Sequence, residues 1–268
     1  MDAAKKNRIF HISSLTKYIL LTFGVSWCCW IPVALGIFPD SVFYIGAFGP
    51  TLSALFLVNV QEGQAGLKKL WQQLTLWRVH AGWYIFSLFV AVPVVLTGIW
   101  LDVWMGGQKP VFNDFSELYL VIPVFFFVLL TSVLGEEIGW RGYALPKSLR
   151  LMSGVTAGVT LGVIWGMWHL PLFWMGDNFH SSIPFVAFML QIMAFSIVYT
   201  WMFVNTKGSL LLAHLFHAAS NTTLGVLPLL PMDNGGRVRP MWLALSLWCL
   251  FAGVLIVRFG ADLRMVED

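Results

Sequence analysis

Eight stretches of this 268-residue sequence carry no charged residue over 18 or more positions: 18–39, 41–61, 79–101, 118–135, 151–176, 178–206, 208–232 and 240–257. A helix needs roughly 20 predominantly apolar residues to cross the hydrocarbon core of a bilayer. No water satisfies the backbone inside that core, so only helices and closed barrels span it. A barrel would show segments of about 10 residues alternating between apolar and polar, whereas these stretches are apolar throughout. The expected fold is an all-α membrane protein: a bundle of about eight transmembrane helices forming a single membrane domain over residues 1–268.

Composition closes the other routes. Charged residues make up 11% of the chain and hydrophobic residues 58%, where a soluble domain carries roughly 25% charged residues. So apolar a chain does not stay disordered. Cys28, Cys29 and Cys249 sit inside apolar runs and form no paired framework. A net charge of +3 without a basic face excludes a nucleic-acid binder. The partners expected are membrane lipid and a membrane-associated peptide or protein.

Orientation follows from lysine and arginine. With the N-terminus in the cytoplasm, that side holds Lys5, Lys6, Arg8, Lys17, Lys68, Lys69, Arg78, Arg141, Lys147, Arg150, Lys207, Arg258 and Arg264, and the other side holds Lys109, Arg237 and Arg239. That asymmetry obeys the positive-inside rule, and an even number of spans returns the C-terminus to the cytoplasm. The basic start has the charge pattern of a signal peptide, but the first run exceeds the usual core of about 7–15 residues, so it reads as a retained helix. The segment Glu62–Arg78 places Leu67, Leu70, Trp71, Leu74 and Trp77 at helical spacing. It is either an amphipathic helix in the cytoplasmic interface or a plain connector with anchoring tryptophans.

A charge inside a span costs roughly 2.5–3.5 kcal/mol on insertion scales, so it needs a reason to stay. Glu136, Glu137 and Arg141 follow the fourth apolar run directly. Glu137 and Arg141 are four apart in the order that favours a helical ion pair. Glu136 points about 100° away from Glu137 and is left to face a cavity. His169 lies one turn beyond Trp165 in the fifth span. His217 and Asn221 share a face in the seventh span, with His214 on its margin. Counted from a hairpin turn near Leu151–Ser153, Glu136 and His169 are almost equally far away, so two helical arms would bring them to one level. Pro146 can kink one arm, and His217 joins that level only if the hairpin projects beyond the membrane.

Two hydrolytic schemes suit such residues. In one, Glu136 is a general base, His169 holds the attacking water, and His217 and Asn221 donate to the oxyanion. In the other, Glu136, His169 and His217 bind a divalent metal such as zinc, which acidifies its water. The soluble zinc-protease motif H-E-x-x-H is absent, and the spacing leaves both schemes, metal or none, open.

The runs Glu136-Glu137-x-x-x-Arg141, Trp165-x-x-x-His169 and His217-x-x-x-Asn221 resemble the three motifs of the CAAX protease and bacteriocin-processing (CPBP, or Abi) family of intramembrane proteases. The strings Gly-Trp-Arg-Gly-Tyr-Ala-Leu-Pro and Trp-His-Leu-Pro-Leu-Phe strengthen the likeness. It covers 118–230, spans four to seven, as a family-like catalytic core. The resemblance implies a catalytic cavity opening to the cytoplasm. It also implies Glu136 as the water-activating residue, with His169, His217 and Asn221 completing the site and Glu137, Arg141 and Trp165 supporting it. The family is described both as metalloprotease and as metal-free glutamate protease. Trp165 stands where phenylalanine is most common, and keeps an aromatic wall.

The expected function is an intramembrane endopeptidase acting on a prenylated CAAX-type, bacteriocin-like or otherwise membrane-bound substrate, in a bacterial plasma membrane. The alternative is a non-proteolytic scaffold or regulator of the same fold, which damaged motifs would favour; these are intact. A proton-coupled transporter would show symmetric halves, and no such symmetry is visible.

Overall fold

The computed structural model describes residues 3–112, 119–176 and 179–265. The starts assigned above to the fourth and sixth spans, Leu118 and Asn178, lie outside them, as do the side chains of Lys5, Lys6 and Arg8. The helices are α1 (Ala3–Ala34), α2 (Val42–Ala47), α3 (Gly49–Leu74), α4 (Ala81–Phe89), α5 (Ala91–Trp104), α6 (Val121–Val128), α7 (Leu134–Glu137), α8 (Leu145–Ser148), α9 (Gly154–Trp168), α10 (Phe185–Asn205), α11 (Leu210–Val226) and α12 (Arg239–Phe259). Among the described residues there is no strand.

Seven segments are long and apolar enough to cross a membrane, from Phe10–Ala34 to Arg239–Phe259. The run 41–61, taken above as a further span, is delivered as α2 and the first part of α3, and α3 kinks at Gly63 (φ 60°). The two pieces still return alongside α1. Ser26 Oγ donates to the Gly46 carbonyl (2.7 Å), and Ser14 Oγ donates to Gln61 Oε1 (3.5 Å). Beyond the kink, Gly66 and Leu70 are buried, while Lys68, Lys69, Trp71 and Trp77 are exposed. The segment is thus a true amphipathic helix, with Trp71 on its outer face.

Neighbouring passes run antiparallel, so both chain ends meet one hairpin, Leu149–Ser153. The His11 and Arg150 side chains are 3.2 Å apart, and Val155 N–H donates to the Ala261 carbonyl (2.8 Å). Serine side chains cap the helices that start at this end: Ser153 accepts from Thr156 N–H (3.4 Å) and Ser209 from Leu212 N–H (3.4 Å), satisfying amides that a helix start leaves unpaired.

Lipid-facing side chains such as Leu20, Phe56, Ile85, Phe126 and Val257 stay exposed and apolar. Exposed tryptophans mark two belts, Trp71 and Trp77 at the hairpin end and Trp104 and Trp174 at the other, as expected at two membrane interfaces. The chain is an integral, multi-pass membrane protein. Its interior is formed by α9, α10 and α11, whose spans are 56–67% buried in their most apolar stretch, against 22–39% for the other four.

Candidate active site

Glycines set the positions of the helices that carry the polar residues. Gly158, Gly162 and Gly166 recur every fourth residue along α9, and a Cβ on any of them would press on α10. Small residues at this spacing let two membrane helices approach closely. Gly135 and Gly139 do the same on the fourth pass: a Cβ on either would collide with the Ala47 or Pro50 carbonyl. With that face flush against α2 and α3, Glu136 and Glu137 turn toward the interior.

Between α7 and α8 the backbone is π-helical over Ile138–Ala144, a widened form found mostly in short pieces, frequently at functional sites. It packs more residues into each turn. The arm from Glu136 to the hairpin therefore rises somewhat less than an α-helix would.

Glu136, Glu137, His169 and His217 are all buried, and the structure sorts them into two layers. In the upper layer, Glu136, Trp165, His169, His217 and Asn221 line a cavity of about 430 Å³. The Trp165 indole N–H donates to Glu136 Oε2 (2.7 Å). The Trp165 carbonyl accepts from His169 Nδ1 (2.8 Å); since a carbonyl only accepts, Nδ1 holds the proton and Nε2 presents its lone pair. That Nε2 lies 4.0 Å from Glu136 Oε2. Two acceptors of one water lie about 4.4 Å apart at ordinary O–H···O lengths, so the gap has the dimension of a bridging water.

In the lower layer, Glu137 Oε1 accepts from Arg141 Nη1 (2.9 Å) and from His217 Nδ1 (2.7 Å). The Arg141 guanidinium is clamped between the rings of Trp165 (4.1 Å) and Tyr199 (3.8 Å). A carboxylate in this position is paired rather than presented, and it orients the His217 ring with Nε2 toward its other side.

Sequence reasoning brought Glu136, His169, His217 and Asn221 to one cavity wall, and Glu137 and Arg141 to one ion pair. It did not reach three features. Trp165 is a hydrogen-bond donor to Glu136 as well as a wall, which phenylalanine would not be. Tyr199 closes the far side of Arg141. His180, in the loop before α10, lines the cavity and stacks on His169 (5.4 Å); burial pushes its imidazole down to about 3. His214 is not among the lining residues, and its Nδ1 donates to the Leu210 carbonyl (2.6 Å).

Residues 118–223 match the family model described as type II CAAX prenyl endopeptidase Rce1-like. The chain is also 28% identical over 221 residues to "CAAX prenyl protease 2" of Methanococcus maripaludis, covering 76% of this chain and 81% of that protein. Both matches support a likeness to CAAX-type intramembrane proteases. That likeness supports intramembrane proteolysis and peptidase activity. Glu136, His169, His217 and Asn221 all fall inside the matched residues, as do Glu137, Arg141 and Trp165.

The side chains are not preassembled around an ion. Among the described residues, no three His, Cys, Asp or Glu side chains are grouped to hold an ion. His217 Nδ1 is committed to Glu137, and Glu136 Oε2 to the Trp165 indole.

Proposed function

We propose that the chain is an intramembrane endopeptidase in which Glu136 activates water to cleave one peptide bond of a membrane-associated substrate. The observation that carries this reading is the pairing of Glu136 Oε2 with His169 Nε2, 4.0 Å apart on the cavity wall. The indole and carbonyl of the single residue Trp165 orient both groups.

The water donates one proton toward His169 Nε2 and gives the other to Glu136 as its oxygen attacks the scissile carbonyl carbon. The C=O becomes an oxyanion facing His217 and Asn221. Asn221 donates from its amide. His217 donates from Nε2 when its ring carries both protons. The C–N bond then breaks, the Glu136 proton passes to the departing amine, and the carboxylate is restored. Placed donors of this kind are worth about 10²–10³ in rate, and a positioned base about 10²–10⁴. Zinc is not required by this scheme.

The cavity wall beyond Glu136 is apolar, with Phe188, Ile192, Phe195 and Leu224, which suits a substrate carrying a prenyl or other apolar anchor. The host expected from composition is a bacterial plasma membrane. Purified protein reconstituted with a lipid-anchored peptide should cleave it after exhaustive chelation, and Glu136→Ala should abolish cleavage. Undiminished cleavage by Glu136→Ala overturns the role of Glu136. Loss on chelation that zinc alone restores overturns the metal-free scheme.

A further inference from the structure

A second cavity, of about 110 Å³, lies at the hairpin end and shares no lining residue with the active-site cavity. A water needs only about 10–15 Å³ of such space, so a larger polar group fits. Three parts of the chain meet around it. His11 comes from α1, Lys69 from α3 beyond its kink, and Lys147 and Arg150 from α8 and the hairpin. Against these three cations the described lining holds one carboxylate, Glu62. Lys69 and Arg150 are exposed, whereas Lys147 and His11 are buried.

The buried pair has donors to spare. Lys147 Nζ donates to Glu62 Oε1 (3.2 Å) and lies over the Tyr143 ring (4.3 Å). An ammonium carries three N–H donors, so one carboxylate oxygen does not exhaust it. Arg150 Nη1 stands 3.2 Å from His11 Nε2. A guanidinium only donates, so Nε2 accepts and the ring proton sits on Nδ1. Among the described residues that buried Nδ1 has no hydrogen-bond partner. A buried donor without an acceptor is costly, and an anion in the cavity would remove that cost. Exposed Trp71 and Trp77 place this end of the bundle at a membrane interface. Phe10, which also lines the cavity, is exposed and offers an apolar edge beside the cations. Basic pockets between membrane helices are a recurrent seat for lipid headgroups.

We infer that this cavity binds a phosphate group, carried by an anionic lipid or free in solution, through Lys69, Lys147, Arg150 and His11. Charge-assisted hydrogen bonds of this kind are the strong ones. A phosphate held there ties α1, α3 and the hairpin together. The inference rests neither on the peptidase reading nor on which side of the membrane the hairpin faces.

Binding tests it without catalysis. Full-length protein, stripped of lipid in a neutral detergent, would be titrated with phosphatidylglycerol and, separately, with inorganic phosphate. Native mass spectrometry reads occupancy, and a rise in melting temperature reads binding to the folded state. Saturable uptake of a single equivalent is expected. Uptake of the lipid alone identifies a headgroup as the source, uptake of phosphate alone identifies the free anion, and uptake of both assigns recognition to the phosphate group itself. Lys69→Gln and Arg150→Gln, at exposed positions, should each weaken binding roughly 10-fold. His11→Phe keeps a ring and removes the Nδ1 donor, and should weaken it too. Lys68→Gln, exposed on the same helix but outside the lining, should leave affinity unchanged. Saturable binding of neither probe overturns the inference, as does parental affinity in all three cavity variants. Equal weakening by Lys68→Gln and Lys69→Gln also overturns it, in favour of diffuse surface charge.

Discussion

The cavity wall and the layer beneath it each receive one of two consecutive glutamates. Glu136 reaches the 430 Å³ cavity, where His169 and Asn221 also arrive. Glu137, one residue on, is enclosed between the Arg141 guanidinium and the His217 ring. The same side chain is thus used for two purposes, decided by an angular step of about 100° and by what lies beyond it. The lower layer holds geometry; the upper layer presents reactive atoms. His217 belongs to both, with Nδ1 in one and its ring edge on the cavity, so it transmits the order of the lower layer to the site.

The contrast predicts that damage to the lower layer appears first as instability. Arg141→Ala leaves the Glu137 carboxylate buried beside His217 alone, and removing one partner of a buried ion pair typically costs about 3–5 kcal/mol. Thermal unfolding in detergent should show a large drop, and a variant as stable as the parent would collapse the distinction between the layers. Damage to the upper layer should spare the fold. Trp165→Phe keeps the ring over Arg141 and removes only the indole N–H from Glu136. A hydrogen bond to a charged group is worth about 1.5–3 kcal/mol, so kcat/KM should fall roughly 10- to 100-fold with little change in melting temperature. An unchanged kcat/KM would reduce Trp165 to a wall.

His180 should matter least for the chemistry. Its ring titrates near 3 in the fold against about 6.5 in an unfolded chain. The unfolded state therefore binds the extra proton first, and stability falls as pH drops from about 6.5 toward 3. His180→Phe should flatten that acid loss while leaving the rate profile between pH 6 and 8 in place. A displaced profile would assign His180 a part in the reaction.

Much of this was legible in the sequence, for identifiable reasons. Charge-free runs report spans because lipid tolerates little else, and residue counting from the hairpin placed Glu136 and His169 at one level because both arms are helical. The kink at Gly63 escaped because the apolar run preceding it is uninterrupted through Gln61. The π-helical segment left no mark either, since its i→i+5 bonding changes no residue type. Trp165 was visible as an aromatic, but its donor role depends on where Glu136 Oε2 lies. His180 belongs to no helical spacing and enters the site through a loop. Counting cations gives an expected orientation for the helices, yet nothing in the count shows which end of the bundle is hollow.

Glu136→Gln and Glu137→Gln, purified and reconstituted together with the parent, provide the most direct test of the division of labour. Cleavage of a lipid-anchored peptide and thermal stability would be read on the same samples. Glu136→Gln should lose about 10²–10⁴ in rate at parental stability, whereas Glu137→Gln should melt markedly lower. Full activity in Glu136→Gln, or a stable and inactive Glu137→Gln, would contradict the assignment of catalysis to the first glutamate.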